Sequence, residues 1–210
     1  VGACAHADLA VFSFHPVKIM TTGEGGMVLA RDEALLRRVA RLRSHGITRE
    51  PGEMEGGSEG PWYYQQLDLG FNYRMTDMQA ALGLSQLGRL DHFLARRRGL
   101  ARRYDTLLAD LPVDRPHPDD DSAWHLYAVR LRDASRRRRV FERLRDAGIG
   151  VNVHYIPVHL QPYYRRRGFK PGDFPHAEAY YDGALSLPLH ARLTEAQQDR
   201  VVHALAEALA

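Results

Sequence analysis

Apolar and polar positions change their period several times along the chain. Leu9–Phe14 (LAVFSF) and Gly26–Ala30 (GMVLA) are short, nearly continuous apolar runs, the pattern of buried strands in parallel sheets covered on both faces. Between them HPVKIMTTGEGG is too rich in Gly, Thr and Pro for a regular element and reads as a loop. Asp32 then caps a helix, EALLRRVARLR, whose Leu35, Leu36, Val39 and Leu42 recur at helical spacing and end near Gly46. Residues 47–61 are polar, glycine-rich and aperiodic, so they are expected to form a mobile surface loop with no element of their own. After an extended stretch at Tyr64–Leu69, Thr76 and Gln79 have the spacing of a capping box. Apolar Met78, Ala81, Leu82, Leu90, Leu94 and Leu100 carry the helical period onward, predicting one long helix to about Leu111 that joins two domains.

Beyond it, Pro112–Ser122 (PVDRPHPDDDS) reads as a linker or surface loop. A strand at Ala123–Leu131, a helix at Arg136–Ala147 closed by Gly148, and a strand at Gly150–Ile156 make an α+β unit. Asp173–Leu185 is expected to be helical. The last helix starts at Thr194 with Gln197 completing a second capping box, and Val201, Val202, Leu205 and Leu209 form its buried stripe.

With 210 residues, 44% of them hydrophobic and 26% charged, the chain can bury a conventional core as one good-sized domain or two small ones. No apolar run approaches the ~20 residues needed to span a bilayer, and VGACAHADLA lacks the pattern of a secretion signal, so no membrane partner and a cytoplasmic location are expected. Cys4 is the only cysteine, which rules out an internal disulfide and a cysteine-built metal site. The net charge of +3 invites a nucleic-acid reading. The Arg runs at 96–98, 102–103, 136–139 and 165–167 are, however, interleaved with Asp91, Asp105, Asp110, Asp133, Glu142 and Asp146, the pattern of solvated helix faces. Eleven histidines show no HxxxH or HExxH on a predicted helix, so no metal is expected. Of the 29 basic Lys and Arg residues only Lys18 and Lys170 are lysines, which leaves two candidates for any chemistry that needs one.

Lys18 follows the first strand in the run Ser13-Phe14-His15-Pro16-Val17-Lys18, with Thr21-Thr22-Gly23-Glu24-Gly25-Gly26 after it. A lysine at a strand end, in a loop of little bulk, can react as a neutral amine with an aldehyde, which is Schiff-base chemistry. Ser13 could place its hydroxyl on a phosphate, and the glycines would let backbone approach a flat cofactor. From these features alone Lys18 is either such an amine or an ordinary loop lysine.

The run FSFHPVKIMTTGEGGMVLARDEALLRRVARLRSHG resembles the lysine segment of the DegT/DnrJ/EryC1/StrS sugar aminotransferases, and FNYRMTDMQAALGLSQL and VNVHYIPVHLQPYY resemble two later blocks of that family, in the same order. The resemblance implies an α/β protein with the type I fold of aminotransferases that depend on pyridoxal 5'-phosphate. Residues 1–94 would form the C-terminal part of the large cofactor-binding domain, and 95–210 the small α+β domain with its connecting helix. The family's upstream phosphate loop, ring-stacking aromatic and pyridine-pairing aspartate have no counterpart here. With the missing initiator Met, this marks the chain as a C-terminal piece expected to be inactive alone.

Residue by residue, the resemblance makes Lys18 the Schiff-base lysine and catalytic base. Ser13 would bond the cofactor phosphate or lie beside the substrate, and Asn72 would reach the phosphate of a partner subunit, implying a homodimer with shared active sites. Asn152, Val153, His154 and Tyr155 would approach a nucleotide sugar; His15 and His159 belong to matching motifs with weaker claims. HPVK with VHYIPVH is most similar to members that serve pseudaminic acid biosynthesis. The implied reaction moves an amino group from an amino acid, L-glutamate by family habit, to C4 of a UDP-4-keto-6-deoxy-N-acetylhexosamine. Another nucleotide-sugar 3- or 4-aminotransferase, an inactive regulatory relative, and a basic binding module using the Arg runs are the alternatives; the presence of Lys18 argues against the second.

Overall fold

A short connection without a helix joins the first two strands, and that brevity decides how they pair. Parallel neighbours need a crossover of a dozen or more residues, usually helical. In the computed structural model, which describes residues 2–210, β1 (Leu9–Ser13) and β2 (Gly26–Ala30) are antiparallel, with Leu9 opposite Ala30 and Ser13 opposite Gly26. The expected strand positions hold, but not the expected burial: β1 alternates exposed and half-buried residues, and Val11 is 74% exposed. The residues fall into two compact units, one ending at Leu90 and the other running Asp91–Ala210.

In the first unit α1 (Glu33–Arg43) begins at Asp32, whose Oδ1 accepts the Ala34 and Leu35 N–H groups at 2.7 and 3.4 Å. Its apolar stripe is half-buried. Arg41, near the end of α1, lies 3.3 Å from Glu53 and 3.1 Å from Asp68 and so ties down both ends of the following segment. That segment is more ordered than its composition predicts: β3 (Ile47–Thr48) pairs antiparallel with β4 (Gln65–Gln66), and Pro51–Glu53 makes a 3-10 turn. The capping box is present as read, Thr76 Oγ1 accepting the Gln79 N–H and the Gln79 side chain accepting the Thr76 N–H. The long helix, in contrast, is two: α2 (Asp77–Leu87) stops at Gly88, and α3 (Leu90–Leu107) follows. Glycine is disfavoured inside a helix by about 1 kcal/mol, and here a tight turn, Arg89 N–H to Gln86 C=O at 3.0 Å, replaces the continuing ladder.

The second unit is built on an antiparallel sheet of order β5 (Val113–Asp114), β6 (Tyr127–Leu131), β7 (Ala184–Leu187). Thus the expected linker contributes a short strand. Along β6 Tyr127, Val129 and Leu131 are buried while Arg130 is exposed, the period of a half-covered strand. The core joins Ala101, Tyr104 and Leu108 of α3 to Val140 and Leu144 of α4 (Arg137–Asp146) and to Val201 and Leu205 of α7 (Glu195–Leu209). Gln198, fully buried on α7, donates to the Leu100 carbonyl at 2.8 Å and accepts from Arg103 at 3.3 Å, so a polar residue in the stripe is satisfied rather than stranded.

Two expectations fail here. Gly150–Ile156 is not a strand: Val153 gives its N–H to the Asn152 side chain at 2.8 Å, which removes a ladder donor, and only a single bridge pairs Asn152 with Ser186. The predicted helix 173–185 divides into α6 (Pro175–Gly183) and β7, whose ALSL sequence has no β-branched residue to announce it. A one-turn helix, α5 (Pro162–Arg165), lies between these segments. Among the described residues no helix is long and apolar enough to cross a membrane.

Candidate active site

The β1–β2 connection that carries Lys18 is closed at its neck by one residue. Phe14 donates its N–H to the Gly25 carbonyl at 2.8 Å, while its own carbonyl accepts the Thr22 N–H at 3.0 Å and the Thr21 hydroxyl at 2.9 Å. Inside that neck the Lys18 N–H reaches the His15 carbonyl at 2.9 Å, making a tight turn, and Ser13 Oγ accepts the His15 N–H at 3.4 Å. Ser13, the last residue of β1, is thus tied to the loop that carries Lys18. Lys18 is half-buried, and among the described residues no carboxylate or carbonyl pairs with its amine. His15 lies 3.8 Å from Glu24 across the loop.

Thr22, the second of two threonines after Lys18, fixes the loop from below. It is 3% exposed, its hydroxyl donates to the Glu24 carbonyl at 2.7 Å, and its methyl group faces α2 at Gly83. A Cβ at Gly83 would come within 2.8 Å of Thr22 Cγ2. Gly25, at φ +152°, is equally confined: a Cβ there would lie 2.4 Å from Thr22 Oγ1 and 2.8 Å from Met75 Cε. Gly83→Ala is accordingly expected to cost about 1–3 kcal/mol by overpacking, more than the ~1 kcal/mol gained in helix propensity. Fluorescence-monitored urea unfolding should show the net loss; a net gain would mean that the loop does not rest on α2.

Asn72 is exposed, and its backbone pairs with Ser44 just past α1, with the neighbouring Tyr73 N–H bonded to the Arg43 carbonyl at 2.9 Å. It shares the first unit with Ser13 and Lys18, and no hydrogen bond joins it to either among the described residues.

The second unit brings Asn152, Val153, His154 and Tyr155 together with a residue the sequence did not single out. Ser186 of β7, buried, lies 2.8 Å from His154 Nδ1 through its hydroxyl. Asn152 Nδ2 is 3.2 Å from His154 Nε2, and the Tyr155 ring meets the His154 ring edge-on at 4.6 Å between centroids. Burial pulls the His154 imidazole below the usual histidine range. Asn152 and Tyr155 are exposed, Val153 and His154 half-buried. Ser186 is 32 residues from His154 and carries no local signal; only a knowledge of strand pairing would have found it.

His159 is otherwise engaged. It is buried, 2.8 Å from Glu178 of α6 and against the Phe174 ring, beside a cavity of about 340 Å³ lined by Pro157, Tyr164 and Phe169. The His159 contact and the Gly172 N–H hold the Glu178 carboxyl below the usual carboxylate range. This pair fastens α6 to the 157–160 turn.

A strand-end lysine on a loop locked by its own backbone and by threonines, in a chain of mixed helix and sheet, defines an α/β protein of the aminotransferase type. The chain belongs to the DegT/DnrJ/EryC1/StrS aminotransferase family, whose model matches residues 1–206. It is 39% identical over 206 residues to the spore coat polysaccharide biosynthesis protein SpsC of Bacillus subtilis, covering 94% of this chain and 53% of that one. Among solved structures, Spr1654 of Streptococcus pneumoniae in its PMP form superposes with a TM-score of 0.89 at 32% identity, over 98% of this chain and 54% of the other. Helicobacter pylori PseC, an aminotransferase involved in the biosynthesis of pseudoaminic acid, gives 0.87 at 30%, over 97% and 53%. The chain thus spans about half the length of the relatives it matches.

Aminotransferases of this family depend on pyridoxal phosphate, and Spr1654 is solved in PLP and PMP forms. The residues present fit that group. Among the described residues the Lys18 amine has no competing partner, and its backbone is held in place by the bonds at His15, Phe14 and Thr22 rather than by the amine.

Proposed function

We propose that this chain supplies the reactive lysine and part of the sugar site of a nucleotide-sugar aminotransferase. Its reaction moves an amino group from L-glutamate to C4 of a UDP-4-keto-6-deoxy-N-acetylhexosamine, in pseudaminic acid biosynthesis in the cytoplasm. The observation that carries this reading is Lys18, a half-buried amine without a partner among the described residues, on a loop whose neck is closed at Phe14. Pyridoxal phosphate, when bound, supplies an aldehyde for amines and a ring that draws off electrons. Lys18 would hold that group and, once the donor amine has displaced its Nζ, the freed amine would take the proton from the α-carbon of the amino donor and, in the second half of the exchange, deliver one to C4 of the sugar. Ser13, at the end of β1 where that loop begins, offers a hydroxyl to the phosphate. Asn152, Val153, His154 and Tyr155 meet the sugar.

The full-length protein, incubated with L-glutamate and 4-keto UDP-sugars of the L-altro and D-gluco series, should aminate the L-series sugar, as read by mass spectrometry. Preference for the other series would remove the pathway and keep the reaction class. Turnover of simple 2-keto acids alone would overturn the sugar reading.

The domain boundary we propose lies near residue 94, with 1–94 belonging to the cofactor-binding domain and 95–210 to the small one. We assign Asn72 to the phosphate of the neighbouring subunit in a homodimer. Mixing Lys18→Ala with Asn72→Ala subunits should then regenerate one working site per heterodimer, up to about a quarter of wild-type activity for random pairing of equal amounts. No regained activity after verified exchange would refute the shared site.

A further inference from the structure

The hydrogen bonds around His154 fix which ring nitrogen carries the proton. The Asn152 side-chain oxygen accepts the Val153 N–H at 2.8 Å, so the other end of the amide, a donor only, faces His154 Nε2 at 3.2 Å. Nε2 is therefore the bare nitrogen. The ring proton sits on Nδ1 and is donated to Ser186 Oγ at 2.8 Å. Ser186 cannot drift away, because it is buried, donates its N–H to the Asn152 carbonyl at 2.8 Å and accepts the Asn152 N–H at 3.3 Å. A second proton, at Nε2, would set N–H against the amide NH2, donor facing donor; burial acts in the same direction.

We propose that Ser186 is a positioning residue of the sugar site. It accepts the Nδ1 proton and so holds in place the ring whose tautomer the Asn152 amide selects; the exposed amide then offers its second N–H to the sugar, and a sugar hydroxyl that displaces the first finds an uncharged acceptor at Nε2 instead of a cation facing its diphosphate. This rests on the reading of residues 152–155 as the sugar-facing block. The chemistry discriminates because a phosphate needs donors or positive charge, and an unprotonated imidazole nitrogen provides neither, whereas a sugar hydroxyl that takes the amide's place can donate to Nε2 and accept the N–H it displaces.

The test uses the full-length protein labelled with 15N-histidine, with UDP and UDP-N-acetylglucosamine as probes and long-range 1H–15N correlations to read the tautomer. His154 should carry its proton on Nδ1 at neutral pH, and its Nε2 resonance should move with the N-acetyl sugar nucleotide and stay in place with UDP. Ser186→Ala should free the ring, broaden the His154 resonances and weaken binding of UDP-N-acetylglucosamine about three- to tenfold, with UDP affinity unchanged. Asn152→Asp, at an exposed position, sets an acceptor against Nε2 and should protonate it, which keeps the test open if the buried Ser186→Ala variant does not fold. A protonated Nε2 in the wild type, no change in Asn152→Asp, or an Nε2 that responds equally to UDP would overturn the proposal. The expected signals without amination of any keto sugar would remove the proposed reaction while leaving this site standing.

Discussion

Lys18→Ala is expected to lower amino transfer by about 10⁴-fold or more, since it removes both the covalent anchor and the proton carrier. The fold should survive. Among the described residues the Lys18 side chain makes no hydrogen bond or ion pair, and the loop around it is held by the Phe14, Thr21 and Thr22 bonds, so unfolding should shift by no more than ~0.5 kcal/mol. Single-turnover kinetics of the full-length protein would give the loss, and borohydride reduction with peptide mapping would place the pyridoxyl group. It should be found on Lys18. Labelling of Lys170, an exposed lysine whose N–H is bonded to Asp173 in a surface turn, would overturn the assignment.

The second large effect concerns the frame of the second unit. Tyr104 of α3 is fully buried, its ring lies 4.9 Å from that of Tyr127, and its hydroxyl donates to the Pro188 carbonyl at 2.9 Å. Tyr104→Ala should cost about 3–5 kcal/mol, the range for emptying a large core site. Tyr104→Phe keeps the ring and leaves the Pro188 carbonyl without that partner, at about 1–3 kcal/mol. Burial drives the Tyr104 hydroxyl pKa upward, so its proton remains in place through the ordinary pH range. Urea titrations of the two variants measure both terms; equal losses would show that the hydroxyl, not the packing, dominates. Pro188 directly follows the strand that carries Ser186, so Tyr104→Ala should also broaden the His154 resonances.

Legibility in the sequence varied with the range of the interaction responsible. Asp32, Thr76 and Thr194 announced three helix starts because a cap is made within three residues of the chain. The Lys18 loop was visible for the same reason: its turn closes between His15 and Lys18. By contrast, the break at Gly88 hid inside a continuous apolar period, and β7 hid behind a helix because four residues of ALSL carry almost no pattern. The 47–61 stretch looked structureless, since the Arg41 contacts that order it come from the preceding helix.

The sequence by itself determined the family, the loop that carries Lys18, the helix starts and the buried stripe of the last helix. All of these depend on residue identity and on spacings within a few turns of chain. Only the tertiary structure decided that β1 and β2 run antiparallel, that Gly150–Ile156 is held by a single bridge instead of a ladder, and that Thr22 rests on Gly83. It also decided how the His154 ring is held, because the hydroxyl beside Nδ1 is 32 residues away and arrives only when β7 comes to lie beside Asn152. A side chain's protonation and orientation are set by what surrounds it in space, and that neighbourhood is assembled from segments whose separation along the chain leaves no periodic trace.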